Sequence, residues 1–425
     1  MLIDRTCVIF SVRRRSPLSR TSRTIGTFKV KLAVERVSRA RRRAVKYDVT
    51  ILAPQAPRNE GYAVATTERR PDLADLERPA LEAALEERGH ARFHARQIFR
   101  WIYRHGVTDA GAMTNLSREL RVSLARDFTL TTPVVARRET SADGTEKFLL
   151  RLADRRHIES VFIPDTPSMT FCLSTQVGCA MACAFCLTGR MGLARNLTAG
   201  EIVGQVRVLA DALNMREAPF NIVLMGMGEP LHNYDETMKA LRILADEHGF
   251  EMSPRRITLS TVGLLPALER LATEPVMPNL AISLHAPSDV QRGELVPINR
   301  KYGLADIIDV CRRFPLNKRS RITFEYVLLA GVNDSPQDAR RLARLVAGVK
   351  SKVNLIPLNA AAGIPFERPS DEAVDRFARI VSEHGVIVSV RKSRGRDIRA
   401  ACGQLIVEGE RASPAQQLAV LAFGG

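Results

Sequence analysis

The hydrophobic rhythm of the chain changes three times. Residues 1–70 show no sustained period. From Asp72 to about Thr131 apolar positions recur every three or four residues: Leu73, Leu76, Leu81, Ala84 and Leu85, then Phe93, Ile98, Trp101 and Ile102, with Arg92, Arg96, Arg100 and Arg104 interleaved. That spacing stacks apolar side chains over successive helical turns and predicts a small helical domain over 71–132 with a basic side. A linker and β-hairpin region follows over 133–168, with strands at 148–152 and 157–163 and turn signals at Asp143-Gly144 and Asp154-Arg155. Strand-like runs then appear at 170–176, 221–225, 256–260, 280–284, 323–329, 353–357 and 386–390. Helical segments at 199–213, 234–247, 264–272, 304–313, 338–347 and 371–383 alternate with them. Such alternation predicts an α/β fold, a partial (β/α)6-type barrel over 169–408, with a short tail over 409–425. In such barrels chemistry gathers where strands end.

Composition sharpens this picture in three places. The chain has 425 residues, 45% hydrophobic and 26% charged, enough for two or three domains with a substantial core. Its net charge of +17 points to a polyanionic partner, most often nucleic acid. Residues 1–70 hold 17 Lys and Arg against 5 Asp and Glu, so most of the excess lies in this basic extension, expected to lack structure. It reads as a solvated tail or a start assigned too far upstream, as an RNA-binding arm, or as a cleaved transit peptide. Seven cysteines without paired spacing or a secretory signal argue for a reducing compartment, the cytoplasm. The uncharged stretch 166–189 contains a proline, hydroxyl residues and cysteines, so no membrane span is expected.

The cysteines carry the chemistry. Cys179, Cys183 and Cys186, spaced C-x3-C-x2-C after the first strand, can converge on a soft-metal centre. Zinc sites usually pair C-x2-C with a second knuckle, and neither flank offers one. A four-iron cluster held by three thiolates keeps one iron open. The plain alternative is three buried thiols packing as small hydrophobes. One βα unit later comes Gly226-Met-Gly-Glu-Pro230, where Gly228 permits close backbone approach and Glu229 can accept from a ligand ammonium; a tight turn with a solvent-facing Glu is the alternative. Ser260, Ser283-Leu284-His285 and Asn359 fall at later strand ends, where polar residues also cap helices. Near the C-terminus, Ala-Ala-Cys402-Gly-Gln-Leu405 puts an accessible thiol between small residues, and Cys172 stands outside the triplet as its possible partner.

These motifs resemble the radical S-adenosylmethionine (SAM) superfamily. Within it, the run Ser-Thr-Gln-Val-Gly-Cys179-x3-Cys183-x2-Cys186-x-Thr-Gly, Arg195-Asn-Leu-Thr, Gly-Met-Gly-Glu-Pro, Ile-Ser-Leu-His-Ala-Pro287 and Ala-Ala-Cys402-Gly-Gln-Leu is similar to the adenine-C2 methyltransferases of 23S rRNA and tRNA. The likeness covers about residues 72–408, with one departure at Asn359-Ala-Ala-Ala-Gly, where the family has Pro and Phe after Asn. It implies a 4Fe-4S cluster on Cys179, Cys183 and Cys186, and SAM held by Gly228, Glu229, Ser260, Ser283, Leu284, His285 and Asn359. It further implies an S-methylcysteine at Cys402, a transient disulfide between Cys402 and Cys172, and Glu159 as proton acceptor. Its implied partners are 23S rRNA and tRNA and an electron donor such as flavodoxin, for a monomeric enzyme. An adenine-C8 methyltransferase conferring antibiotic resistance shares the cysteines, and a non-catalytic metal-containing RNA-binding protein is a rival of another class.

Overall fold

The computed structural model describes residues 70–164, 168–407 and 409, together with the strands Lys29–Val34 (β1) and Val45–Thr50 (β2). Within the basic extension, read from sequence as lacking structure, β1 and β2 pair antiparallel from Lys29 opposite Thr50 to Val34 opposite Val45. The rest of that segment up to residue 69, and the tail apart from Gly409, lie outside the described residues.

The helical domain comprises Arg78–Glu86 (α1), His94–Phe99 (α2) and Arg118–Asp127 (α3). The chain runs on from α2 through a wide turn, Arg100–Arg104, in which His105 N donates to Arg100 O, five residues back. Ala95, Ile98, Phe99 and Ile102 form its buried stripe. Phe93, expected on that stripe, is 57% exposed. It precedes α2 and lies five residues, about 140° around a helix, from Ile98. The interleaved arginines are all exposed, but Arg92 pairs with Glu82 (3.3 Å), and Arg100, beside His248 (3.4 Å), and Arg104, donating to Gly249 O (3.1 Å) and Glu251 (2.9 Å), tie this domain to the barrel. Arg78 with Asp246 (2.9 Å) and Arg242 with Glu77 (2.9 Å) make the same join.

One sheet of ten strands forms the barrel wall. Val134–Thr140 (β3), Glu146–Arg151 (β4) and His157–Ile163 (β5) form an antiparallel edge. Thr170–Cys172 (β6) pairs antiparallel with β5. After the local hairpin Gln176–Cys179 (β7) with Gly192–Asn196 (β8), the sheet continues as Asn221–Leu224 (β9), Ile257–Thr261 (β10), Asn279–Ser283 (β11), Ile322–Leu328 (β12), Ser351–Pro357 (β13) and Val388–Val390 (β14). From β6 through β9 to β14 every neighbour is parallel, in chain order, so the barrel stays open between β14 and the antiparallel edge. The crossovers carry Leu187–Met191 (α4), Ala199–Ala212 (α5), Tyr234–Ala245 (α6), Leu265–Leu271 (α7), Asp289–Leu295 (α8), Leu304–Arg313 (α9), Pro336–Val346 (α10) and Asp371–Glu383 (α11).

Local chemistry sets these boundaries. A reciprocal Thr198–Glu201 capping box starts α5, and a Ser335–Asp338 box starts α10, each satisfying main-chain donors that the first helical turn leaves free. Along the parallel strands Leu259, Ile282 and Phe324 are wholly buried toward the helices and alternate with Ser260, Ser283 and Glu325, which face the barrel interior. No helix among the described residues is long and apolar enough to cross a membrane.

Candidate active site

The strand ends surround a cavity of about 910 Å³, open mouth included. Cys179, Cys183 and Cys186 form one wall. Hairpin β7–β8 carries their loop: Cys179 ends β7, Ala182 takes a left-handed conformation (φ 51°), and Cys186 N donates to Cys183 O (3.2 Å). Burial pushes all three thiols up, and mutual repulsion of their thiolates adds to this for Cys179 and Cys183. Such a triplet is stable as thiolates only with positive charge among them, as iron supplies. Among the described residues no three His, Cys, Asp or Glu side chains gather closely enough to hold one metal ion. Thiolates that each bind a different iron of a cluster need not, so the donor set fits the cluster implied by resemblance.

Opposite the sulfurs stand Gly228, Glu229, Ser260, Ser283, His285 and Asn359. Gly228 has φ 107°, and a Cβ there would lie 2.7 Å from Gln176 Cβ. Gln176 Oε1 in turn accepts from Glu229 N (2.9 Å), so the glycine lets the β9 turn seat against β7. Each carboxylate oxygen of Glu229 accepts one main-chain N–H, from Leu231 (3.1 Å) and Val262 (2.9 Å), and burial raises its pKa to about 7. Spare lone pairs on that carboxylate suit an ammonium group. Ser260 and Ser283 hydroxyls lie 3.2 Å apart. His285, at φ 60°, accepts from Val327 N on Nδ1 (3.1 Å), which leaves the Nε2–H tautomer. Burial lowers its pKa to about 3, so the ring stays neutral. Asn359 Oδ1 is buried without a partner, an acceptor of the kind a polar ligand satisfies.

Leu284 departs from expectation. Its side chain is wholly buried in the core, its N donates to Glu325 O (3.0 Å), and its O accepts from Arg292 (3.0 Å). It supports the rim and does not line the cavity. Arg292, which sequence reasoning passed over, holds this corner, donating to Val262 O (2.6 Å) and Ser283 O (3.1 Å) and so joining the ends of β10 and β11.

The segment after β14 brings Cys402 to the same mouth. Leu187 N donates to Gly403 O (2.8 Å), Thr188 Oγ1 to Leu405 O (2.7 Å) and Asn359 Nδ2 to Cys402 O (3.2 Å), so the cysteine loop and the Cys402 segment are stitched together. Cys402 lines the main cavity, and with Cys172 it also lines a smaller adjoining one of about 420 Å³. Burial pushes the Cys172 thiol up to about 12, helped by charge on Cys402. Arg391, which follows β14 directly, lines both cavities. Sequence offered only its strand-end position as a signal.

Glu159 stands apart. It lines a separate groove with Lys147, Glu139 and Arg137. Lys147 is 3.1 Å from its carboxylate, and Ile406 N donates to it (2.9 Å). Burial raises its proton affinity against the opposing charge of Lys147. The structure therefore brings together the three cluster cysteines, Cys172, Cys402 and six of the seven residues assigned to SAM, while the Glu159 carboxylate opens on the separate groove and meets the Cys402 segment at Ile406, the Glu159 main-chain O being held by Ser174 Oγ (2.6 Å).

Known proteins resemble this chain in both sequence and fold. Residues 173–343 match the radical SAM superfamily, and residues 71–130 match the ribosomal RNA large subunit methyltransferase N-terminal domain. The dual-specificity RNA methyltransferase RlmN of Geobacter sulfurreducens is 50% identical over 334 residues, covering 79% of this chain and 91% of that one. That of Acidiphilium cryptum is 46% identical over 384 residues, covering 88% and 96%. A crystal structure of a radical SAM methyltransferase from Sphaerobacter thermophilus superposes with a TM-score of 0.75 at 49% identity, covering 79% of this chain and 99% of that one. By identity over most of both chains and by the two family matches, the chain belongs to the RlmN family of radical SAM RNA methyltransferases.

Proposed function

We propose that this enzyme methylates C2 of adenine in 23S rRNA and tRNA through a methyl group carried on Cys402. The observation that carries the reading is the stitching of the Cys402 segment to the cysteine loop, with Cys172 sharing the cavity behind it. Adenine C2 is electron-poor and does not attack a sulfonium methyl, so a polar transfer straight to the base fails. When bound at the three thiolates and the rim, the 4Fe-4S cluster and SAM supply a methyl donor and a hydrogen-abstracting radical. The Cys402 sulfur takes the methyl group by displacement at the methyl carbon, with S-adenosylhomocysteine as leaving group, and then presents that carbon to the base. Glu159 accepts the C2 proton, and the groove that it lines with Lys147 offers that proton a route to solvent. Cys172 then attacks the Cys402 sulfur, closing a disulfide and freeing the base.

Gly228, Glu229, Ser260, Ser283, His285 and Asn359 hold SAM. The helical domain, with exposed Phe93 and Arg92, docks RNA. A monomer working in the cytoplasm with an electron donor such as flavodoxin completes the reading. Nuclease digestion of RNA after anaerobic turnover tests it. The reading expects 2-methyladenosine, and 8-methyladenosine as the product overturns it.

A further inference from the structure

Arg391 belongs to none of the assigned roles, yet it is the basic side chain shared by the walls of both cysteine cavities. Its position is fixed from two sides. Arg391 N donates to Leu355 O (2.8 Å), anchoring its main chain to β13. Glu325 lines the same main cavity from β12 and is held by Asn354 Nδ2 (2.8 Å). Arg391 therefore shares its cavity walls with two sulfurs and one buried carboxylate.

We propose that Arg391 is a positioning residue that serves the two transfer cysteines in turn, holding first the Cys402 sulfur and then the Cys172 sulfur as nucleophile. The inference rests on the reading of Cys402 as methyl carrier and Cys172 as resolving thiol. The ordering follows from charge. Before methyl transfer the attacking sulfur is that of Cys402, which shares both cavity walls with Arg391, while Glu325 lines only the main cavity and Cys172 only the smaller one. In the first step the Cys402 S–CH3 bond forms as the sulfonium S–CH3 bond breaks, S-adenosylhomocysteine leaves, and Cys402 becomes a neutral thioether. Arg391 is then left with Cys172, whose thiolate burial opposes and the guanidinium favours. In the last step Cys172 thiolate bonds to the Cys402 sulfur, and the electron pair of the breaking S–C bond leaves on the methylated base, which takes up a proton. A fixed bidentate donor suits two acceptors reached from one place.

The test uses cluster-loaded Arg391→Gln and Arg391→Lys enzymes, with iron content and SAM binding measured first. Peptide mass spectrometry follows the appearance of methyl on Cys402, and denaturing gels follow the covalent enzyme–RNA species. A glutathione redox titration of the Cys172–Cys402 disulfide supplies a readout independent of turnover. Arg391→Gln is expected to methylate Cys402 about 10- to 100-fold more slowly, the loss of one charge-assisted hydrogen bond. It is also expected to accumulate the covalent species and to shift the disulfide toward the oxidised form, because its thiolates have lost their stabilising cation. Arg391→Lys, or Arg391→Gln supplied with millimolar guanidinium, recovers part of both rates, which a merely structural role does not predict. Wild-type kinetics and disulfide equilibrium in Arg391→Gln overturn the inference. Absence of methyl on Cys402 in the unaltered enzyme overturns the underlying reading instead.

Discussion

Replacing Gly228 by alanine tests the close approach that seats the β9 turn against β7. At φ 107° the backbone lies where L residues are strained, at a cost of about 1–3 kcal/mol. The new Cβ would stand 2.7 Å from Gln176 Cβ and 2.8 Å from Gln176 N. A main-chain nitrogen cannot swing away as a side-chain tip can, so overpacking adds about 1–3 kcal/mol. Together these predict a loss of about 2–6 kcal/mol in urea denaturation. The displacement falls on Gln176, which holds Glu229 N (2.9 Å) and Asn196 Oδ1 (2.8 Å), so SAM affinity in equilibrium dialysis is expected to collapse as well. Gly293→Ala in α8 is the control: nothing lies within 4 Å of its Cβ, and stability should hold or rise by up to ~1 kcal/mol. Should Gly228→Ala melt within about 0.5 kcal/mol of the parent and bind SAM normally, the reasoning about this turn is refuted.

Arg292→Met leaves the Val262, Ser283 and Leu284 carbonyls without their donor, and is expected to cost about 3–5 kcal/mol in the same denaturation assay while weakening SAM binding. Lys147→Met removes the cation beside Glu159. Because burial already raises the Glu159 pKa above 4.5, the folded state holds this proton more tightly than the unfolded one, and stability falls as pH rises from there toward the folded pKa. The variant should extend that fall to higher pH, so its deficit against the parent in denaturation midpoints widens with rising pH. Phe93→Ala and Arg96→Glu are expected to weaken RNA binding in filter assays without changing the melting midpoint, since both side chains are exposed, and only the charge change should flatten the salt dependence.

The barrel was legible because its strands and helices carry strong periods. The helices Leu304–Arg313 and Asp371–Glu383 fall where their apolar spacing predicts, and the strand ends shift by a residue or two, except that the strand expected over 170–176 stops at Cys172. Strand β3 escaped notice because it is an edge strand with nearly every residue exposed, so no alternation marks it. Hairpin β7–β8 was hidden by its polar and small residues, which read as loop. At the site, spacing identified the three cysteines because local sequence alone fixes their loop. The Leu284 side chain lies in the core and not on the cavity wall, which its motif position does not reveal. Arg391, Lys392, Arg394 and Arg396 look alike in sequence, and only tertiary packing puts the first of them on the walls of both cavities and Arg394 on one. Glu159 was seen as a strand carboxylate, but its ion pair with Lys147 comes from the β4–β5 register, where Glu159 faces Leu149, two residues along from Lys147.

The central claim is that two sulfurs beyond the cluster handle the transferred carbon, and anaerobic turnover of Cys172→Ala addresses it most directly. The account predicts RNA covalently linked to the enzyme through a one-carbon bridge at Cys402, found by peptide mass after nuclease digestion. Free methylated RNA released at the parental rate, with no linked species, would contradict it.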